Sequence, residues 1–339
     1  MAHPFASCGR GDDEAIPSRR DPLRRATWVL AVGTVGVAVV WHPAATGRAG
    51  AAVAGPFLTL TAVIVGAAGL EAAGVFRWMA RALVPEDTSP RRAFAMLLVL
   101  VALVSGLINL DVAVVVAMPV ALRIARRTGL SASGLAIAVA ITANAASILL
   151  PTSNLTNLLV MSRTPLTPAS YLRASWLAWL GVLTVTVLAL TGLLTRSSGP
   201  ADEREALSQA FSLHPIWDLV PMFLGVTGIR ALLGPGLHLP GGLLEQVAAG
   251  SVLAAGLNNL PAAAAVHSVS ASGAWAAILA MAIGPNLLVT GSVATVICRR
   301  LARDAGGDLD PLRFSLVGFA LLPAQLVVAF AGLRLTGAV

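Results

Sequence analysis

Gly106-Leu107-Ile108-Asn109-Leu110-Asp111-Val112-Ala113 interrupts an apolar stretch running from Ala93 to Leu122, and Gly256-Leu257-Asn258-Asn259-Leu260-Pro261-Ala262-Ala263 interrupts another, from Gly242 to Val266. The two octets share five of eight residues around a Gly-Leu-x-Asn-Leu core. A third stretch, Gly129 to Leu150, runs on into Pro151-Thr152-Ser153-Asn154. Its end, Leu149-Leu150-Pro151-Thr152-Ser153, matches Leu287-Leu288-Val289-Thr290-Gly291 as an apolar run reaching a Thr and then a very small residue. Backbone N–H and C=O groups in hydrocarbon need partners, so non-helical chain survives at depth only where protein buries it or a wet cavity receives it. Four breaks matched in pairs predict one polar chamber built from two copies of one unit.

The surrounding chain fixes the solvent. Of its 339 residues 57% are hydrophobic and only 12% charged, with a mean hydropathy of +0.82, against roughly 25% charged in ordinary soluble proteins. The expected fold is an all-α polytopic membrane protein of two inverted repeats, each with a re-entrant hairpin and a broken transmembrane helix. All 23 basic residues are arginine. Without lysine there is no P-loop and no Schiff base, which excludes ATP hydrolysis by the Walker route and covalent pyridoxal phosphate chemistry. Cys8 and Cys298 are too few for a thiolate cage, and His42, His214 and His238 lack a second ligand at helical spacing, so neither a metal nor a cofactor is expected. His267 reads as an ordinary hydrogen-bonding residue. The net charge of +7 comes from arginines flanking apolar spans, which argues for a bilayer and against nucleic acid as partner.

Nine apolar stretches are expected, at 26–41, 53–76, 93–122, 129–150, 171–194, 215–233, 242–266, 274–297 and 312–333. Let the two interrupted ones, 93–122 and 242–266, be hairpins and the others full crossings, with the N-terminus in the cytoplasm. Eighteen arginines then fall inside and five outside, the sense that the positive-inside rule requires. Residues 1–25 become a cytoplasmic tail, 26–195 the first membrane repeat, 196–214 a cytoplasmic linker and 215–339 a second repeat of opposite topology. On this count the N-terminus is expected in the cytoplasm and the C-terminus outside the cell membrane. Trp28, Trp41, Trp78, Trp176, Trp217 and Trp275 are expected at the headgroup layer.

The breaks bring chemistry with them. Half-helix N-termini favour oxyanion or hydroxyl oxygens and carbonyl ends favour cations. Asn109, Asn154, Asn157, Asn258, Asn259 and Asn286 add amides, Thr152, Ser153, Thr156, Thr290 and Ser292 add hydroxyls, and Gly291 allows close backbone approach. These residues are expected to bind an oxygen-rich solute or ion, although Asn, Ser and Thr also serve between membrane helices as plain hydrogen bonders. Asp111 is the sharpest candidate. An acid there costs roughly 2.5 to 3.5 kcal/mol on insertion scales, which points to a proton or cation carrier. A helix-capping role would also suit it.

Asn109-Leu110-Asp111 with Pro119, and Ala143-Asn144-Ala145-Ala146-Ser147 leading to Ser153-Asn154-Leu155-Thr156-Asn157, resemble the arsenite/antimonite efflux permease family of the ion-transporter superfamily. So do Asn258-Asn259-Leu260-Pro261 and Gly284-Pro285-Asn286 through Thr290-Gly291-Ser292-Val293-Ala294-Thr295. The resemblance implies two inverted repeats, often in a homodimer. It also implies efflux of uncharged arsenite or antimonite trihydroxides, driven by proton exchange or assisted by a separate ATPase subunit. Sodium/proton antiport and sodium-coupled carboxylate or anion transport are the alternatives within the superfamily, and a non-transporting membrane subunit is a remoter one. No paired acids, Ser-Lys dyad or metal cluster suggests an enzyme.

Overall fold

Helix punctuation sets where this chain turns. In the computed structural model, residues 22–75, 78, 81–82, 88–195, 214–234, 236–267, 270–304 and 307–339 are described. The expected tail, 1–25, and linker, 196–214, fall almost wholly outside them. Helices α1 (Pro22–Trp41), α2 (Pro43–Ala72) and α3 (Pro90–Leu107) each begin at a proline, where the missing N–H would have had no helical partner. Helix α4 (Leu110–Thr128) stops at Gly129, whose φ of 71° makes a left-handed cap. Helix α5 (Ala132–Ala146) leads through a 3-10 turn, Pro151–Ser153, to the short α6 (Leu155–Met161). Helix α7 (Pro168–Leu194) closes the first half.

Among the described residues the second half has one helix before its interrupted stretch where the first has two, and from there its helical elements follow the same order. After α8 (His214–Leu233) come α9 (Leu243–Leu257), α10 (Asn259–Ala265) and α11 (Ala271–Ile283). Two 3-10 turns, Gly284–Leu287 and Val289–Gly291, then lead to α12 (Val293–Asp304) and α13 (Pro311–Leu335). Helices α3 and α4 pack together, as do α9 and α10, so both interrupted stretches are helix pairs with a break between. The apolar part of α3, from Ala93, is about 22 Å long at 1.5 Å per residue, and α10 about 10 Å. Neither reaches across a hydrocarbon core of about 30 Å. Four helical segments, Pro43–Leu70, Pro90–Leu107, Pro168–Leu194 and Pro311–Leu335, are long and apolar enough to cross a membrane, the second only with Arg91 and Arg92 included.

Two helices are enclosed on every side. All residues from Gly134 to Ala146 of α5 and from Gly273 to Ile283 of α11 are buried, as expected of helices apolar around the whole circumference. Two apolar cores form around them. One joins α3, α4 and α5 to Ala294, Cys298 and Ala302 of α12. The other joins α10 and α11 to Leu155, Leu159 and Val160 of α6. Each half thus lends the short arm beyond its break to the core of the other. Across the middle α13 lies on α7 so closely that a Cβ on Gly332 would sit 2.5 Å from the Ala178 nitrogen. The same contact buries a hydrogen bond from Gln325 Nε2 to Thr186 Oγ1, 2.8 Å. Large aliphatic side chains on the outer helices, among them Val29, Val40, Leu188, Leu316 and Val327, are exposed, as lipid-facing positions should be.

One expected headgroup anchor lies elsewhere. Trp275 is fully buried in α11 and packs on Tyr171 with ring centroids 4.9 Å apart. The enclosure of α11 by both halves overrides the interfacial preference of an indole. Trp41 and Trp78 are strongly exposed.

Candidate functional site

Both breaks are tied to an unwound segment by the same pair of hydrogen bonds. At the first, Asn109 caps α4: its Oδ1 accepts from the Asp111 N–H at 2.8 Å and its Nδ2 donates to the Thr152 carbonyl at 3.3 Å. At the second, Asn258 caps α10: its Oδ1 accepts from the Leu260 N–H at 3.2 Å and its Nδ2 donates to the Thr290 carbonyl at 3.0 Å. The capping carbonyls also match, Asn109 accepting from the Ala113 N–H and Asn258 from the Ala262 N–H. Each tip is therefore held to its own half's unwound chain by one amide. The equivalent of Asn109 is Asn258, one residue before the Asn259 that the identity count aligns with it. Asn259 instead donates to the Met281 carbonyl of α11 at 3.3 Å.

Around the first unwound segment, Ser153 Oγ donates to the Gly106 carbonyl in the last turn of α3. Asn154 caps α6, accepting from the Thr156 N–H at 3.1 Å, and its Nδ2 donates to Ser147 Oγ at 3.3 Å. Asn157 Nδ2 donates to the Ser147 and Leu150 carbonyls at 2.8 and 3.2 Å. In the second segment Ser292 caps α12, its Oγ accepting from the Thr295 N–H at 3.1 Å. Gly291 is held where a Cβ would meet the Pro285 carbonyl oxygen at 2.6 Å. The Thr290 side chain is exposed, so only its carbonyl takes part.

A side chain outside the expected ligands links the two halves. Asn144, near the end of α5, donates from Nδ2 to Asn286 Oδ1 at 2.9 Å and to Thr295 Oγ1 at 3.2 Å. Asn286 reaches it because Gly318 of α13 has no Cβ; one there would overlap the Asn286 carbonyl oxygen. The Asn144 carbonyl also accepts from Ser147 Oγ at 2.7 Å, so Asn286, Asn144, Ser147, Asn154 and Asn157 form one connected network. A lone amide in an otherwise apolar run of α5 was the available signal. Several atoms in or beside this network are buried without a partner: Asn144 Oδ1, Asn157 Oδ1, Asn286 Nδ2, and the Thr142 and Thr156 hydroxyls. Buried polar atoms are normally satisfied, so an unsatisfied cluster marks a place where a ligand or ion can complete the bonding. Asp111 stands half-buried in the first turn of α4 and forms no ion pair among the described residues. No group of three metal-ligating side chains occurs among the described residues.

A family model described as CitMHS, citrate transporter, matches residues 19–335. No curated protein shows a significant match. The chain belongs to the CitMHS citrate transporter family, and with it to the secondary transporters of the ion-transporter superfamily.

Proposed function

We propose that the chain carries a small carboxylate, coupled to a cation, through a chamber between the two breaks, opened to each side in turn by two inverted repeats, 26–195 and 215–339. The observation that carries this reading is the duplicated tie, Asn109 to Thr152 and Asn258 to Thr290, in a member of a citrate transporter family. Half-helix N-termini at the tips suit carboxylate oxygens. The unpartnered Asn144, Asn157 and Thr156 oxygens suit a hard coupling cation. Asp111 is the proton or cation carrier, and Asn109, Thr152, Ser153, Asn154, Asn157, Asn258, Asn259, Asn286, Thr290, Gly291 and Ser292 form the binding region.

A second reading is proton-coupled efflux of arsenite or antimonite as the uncharged trihydroxide. It is favoured by one observation: the amide network contains no arginine, while an unpaired acid stands at the first tip. Everted vesicles given citrate, succinate, arsenite or sodium under an imposed pH gradient separate the readings. Carboxylate movement that requires the gradient and is lost in Asp111→Asn supports the first; arsenite movement lost in that variant replaces it with the second. Vesicles that move none of these would refute both.

A further inference from the structure

The short arms α6 and α10 pack side by side and end in a cluster of basic groups that the transport reading does not use. Arg230, on the last turn of α8, is only 2% exposed. Its Nη2 donates to the Leu159 carbonyl of α6 at 2.8 Å and to Ser162 Oγ at 3.2 Å. Arg163, the chain neighbour of Ser162, is half-buried and donates from Nη1 to the Ala264 carbonyl of α10 at 3.4 Å. Just after α10 the chain makes a two-residue parallel bridge, β1 (Leu237–His238) with β2 (Val266–His267), which pairs His238 with His267. Their rings are 5.2 Å apart at 83°. Gly236, at a φ of 87°, lets the bridge lie so close that a Cβ there would be 3.3 Å from Arg163 Nη1. From His238 at the surface, through His267 and Arg163, to buried Arg230, positive or protonatable groups descend into the protein.

Capping two helix C-termini does not account for this much charge. Each terminus carries roughly half a negative charge, about one in all against two guanidinium groups. No carboxylate pairs with either arginine among the described residues, and Arg230 Nε is buried without a partner. We propose that Arg163, Arg230 and His267 form an oxyanion site, separate from the two breaks, that takes a carboxylate or phosphate group where α6 and α10 end. Its two sources are a dissolved carboxylate and the phosphate of a membrane lipid. Burial, Arg163 and His238 hold His267 below the ordinary imidazole value. The groups facing it, Arg163 from the end of α6, His238 from β1 and Arg230 beyond them, are all basic, so a bound anion raises the His267 pKa and the site binds more tightly as pH falls.

The test uses the full chain in nanodiscs of purely zwitterionic lipid, with citrate and inorganic phosphate as probes, read by calorimetry and by thermal shift. Affinity should rise from about pH 7.5 to about pH 6, the range in which imidazole titrates. It should fall by about tenfold or more in Arg163→Gln, the loss of one charge-assisted contact, and His267→Gln should flatten its pH dependence. Arg163→Lys, which keeps the charge, should recover part of the binding. In a parallel arm with anionic lipid, a phospholipid that co-purifies with the wild type and is lost from Arg163→Gln identifies the lipid phosphate as the occupant. Probe binding and lipid retention that are both the same in Arg163→Gln as in the wild type overturn the proposal. The outcome is separable from transport: Asp111→Asn should lower vesicle uptake by about two orders of magnitude and leave the Arg163-dependent part of the binding unchanged.

Discussion

The two hairpin tips make the same hydrogen bonds with different amounts of chain. The first break spends two residues, Ile108 and Asn109, and Asn109 stays extended at φ −170°. The second spends one, Asn258, which must take φ 77° and ψ 144° and is the only non-glycine with positive φ among the described residues. Such a backbone costs of order 1–3 kcal/mol and persists only where the surroundings over-determine it. The second tip is therefore sprung where the first is relaxed. Chemistry differs too: two residues after its capping Asn the first tip carries Asp111 and the second Leu260, so only the first tip bears a charge there. A duplicated frame has been kept while strain was assigned to one copy and charge to the other.

Exchanging equivalent residues tests that division. Gly291 stands where Ser153 stands in the first half, yet the rigid Pro285 backbone is 2.6 Å from the place of its Cβ. Gly291→Ser should cost about 3 kcal/mol or more, read as failure to purify as a monodisperse protein. The reverse exchange, Ser153→Gly, loses the bond to the Gly106 carbonyl and some backbone restriction, about 1–2 kcal/mol. Equal losses would show that the close approach of Pro285 does not set the second segment apart from the first.

Asp111→Asn should lower gradient-driven uptake by about two orders of magnitude, the scale of losing a proton-transfer group, with little change in thermal stability. A fall of less than tenfold would mean that the coupling charge lies elsewhere. At the tips themselves, Asn109→Gly should destabilise by about 1–2 kcal/mol, since a side chain bonded at both ends disappears. Asn258→Gly loses the same bonds but releases the strained φ, and its net effect should stay within about 1 kcal/mol. Thermal unfolding in one detergent compares them, and matching losses would remove the claim that the second tip is sprung.

The smallest effect is expected at the far ends of the two exchanged arms. Where α6 ends on arginines without an acid, α12 ends on Arg299 and Arg303, whose Nε atoms both lie 3.0 Å from Asp308 Oδ1. The hydrogen bond from Arg299, aided by Arg303, holds Asp308 below the usual carboxylate range. Its contribution is present above the unfolded value and is lost as pH falls through the depressed one. Because the pair is largely exposed, Asp308→Asn should cost less than about 1 kcal/mol and nothing at high salt. A larger, salt-insensitive loss would show that this end is as buried as its counterpart.

Sequence located both tips because Asn, Asp and Pro inside an apolar run are visible at any distance. It paired Asn109 with Asn259 because identity counting maximises matches, whereas the capping relation depends on which amide accepts from the N–H two residues on. Nothing in the local sequence marks Asn144 and Thr295 as partners. Their bond joins halves 151 residues apart, and a comparison of one half with the other cannot display a contact between them. The burial of Trp275 was hidden for the same reason, since enclosure by a distant helix leaves no local mark.

The exchanged short arms also bear on how the chain is made. Ala294, Cys298 and Ala302, which complete the core around α5, leave the ribosome about a hundred residues after Leu194, the end of α7. Until they arrive the first half sits in the bilayer with an unfilled seam, so its final packing waits for α12 to be made. A ribosome stalled at the linker should leave a nascent chain that quality-control proteases still recognise as incomplete.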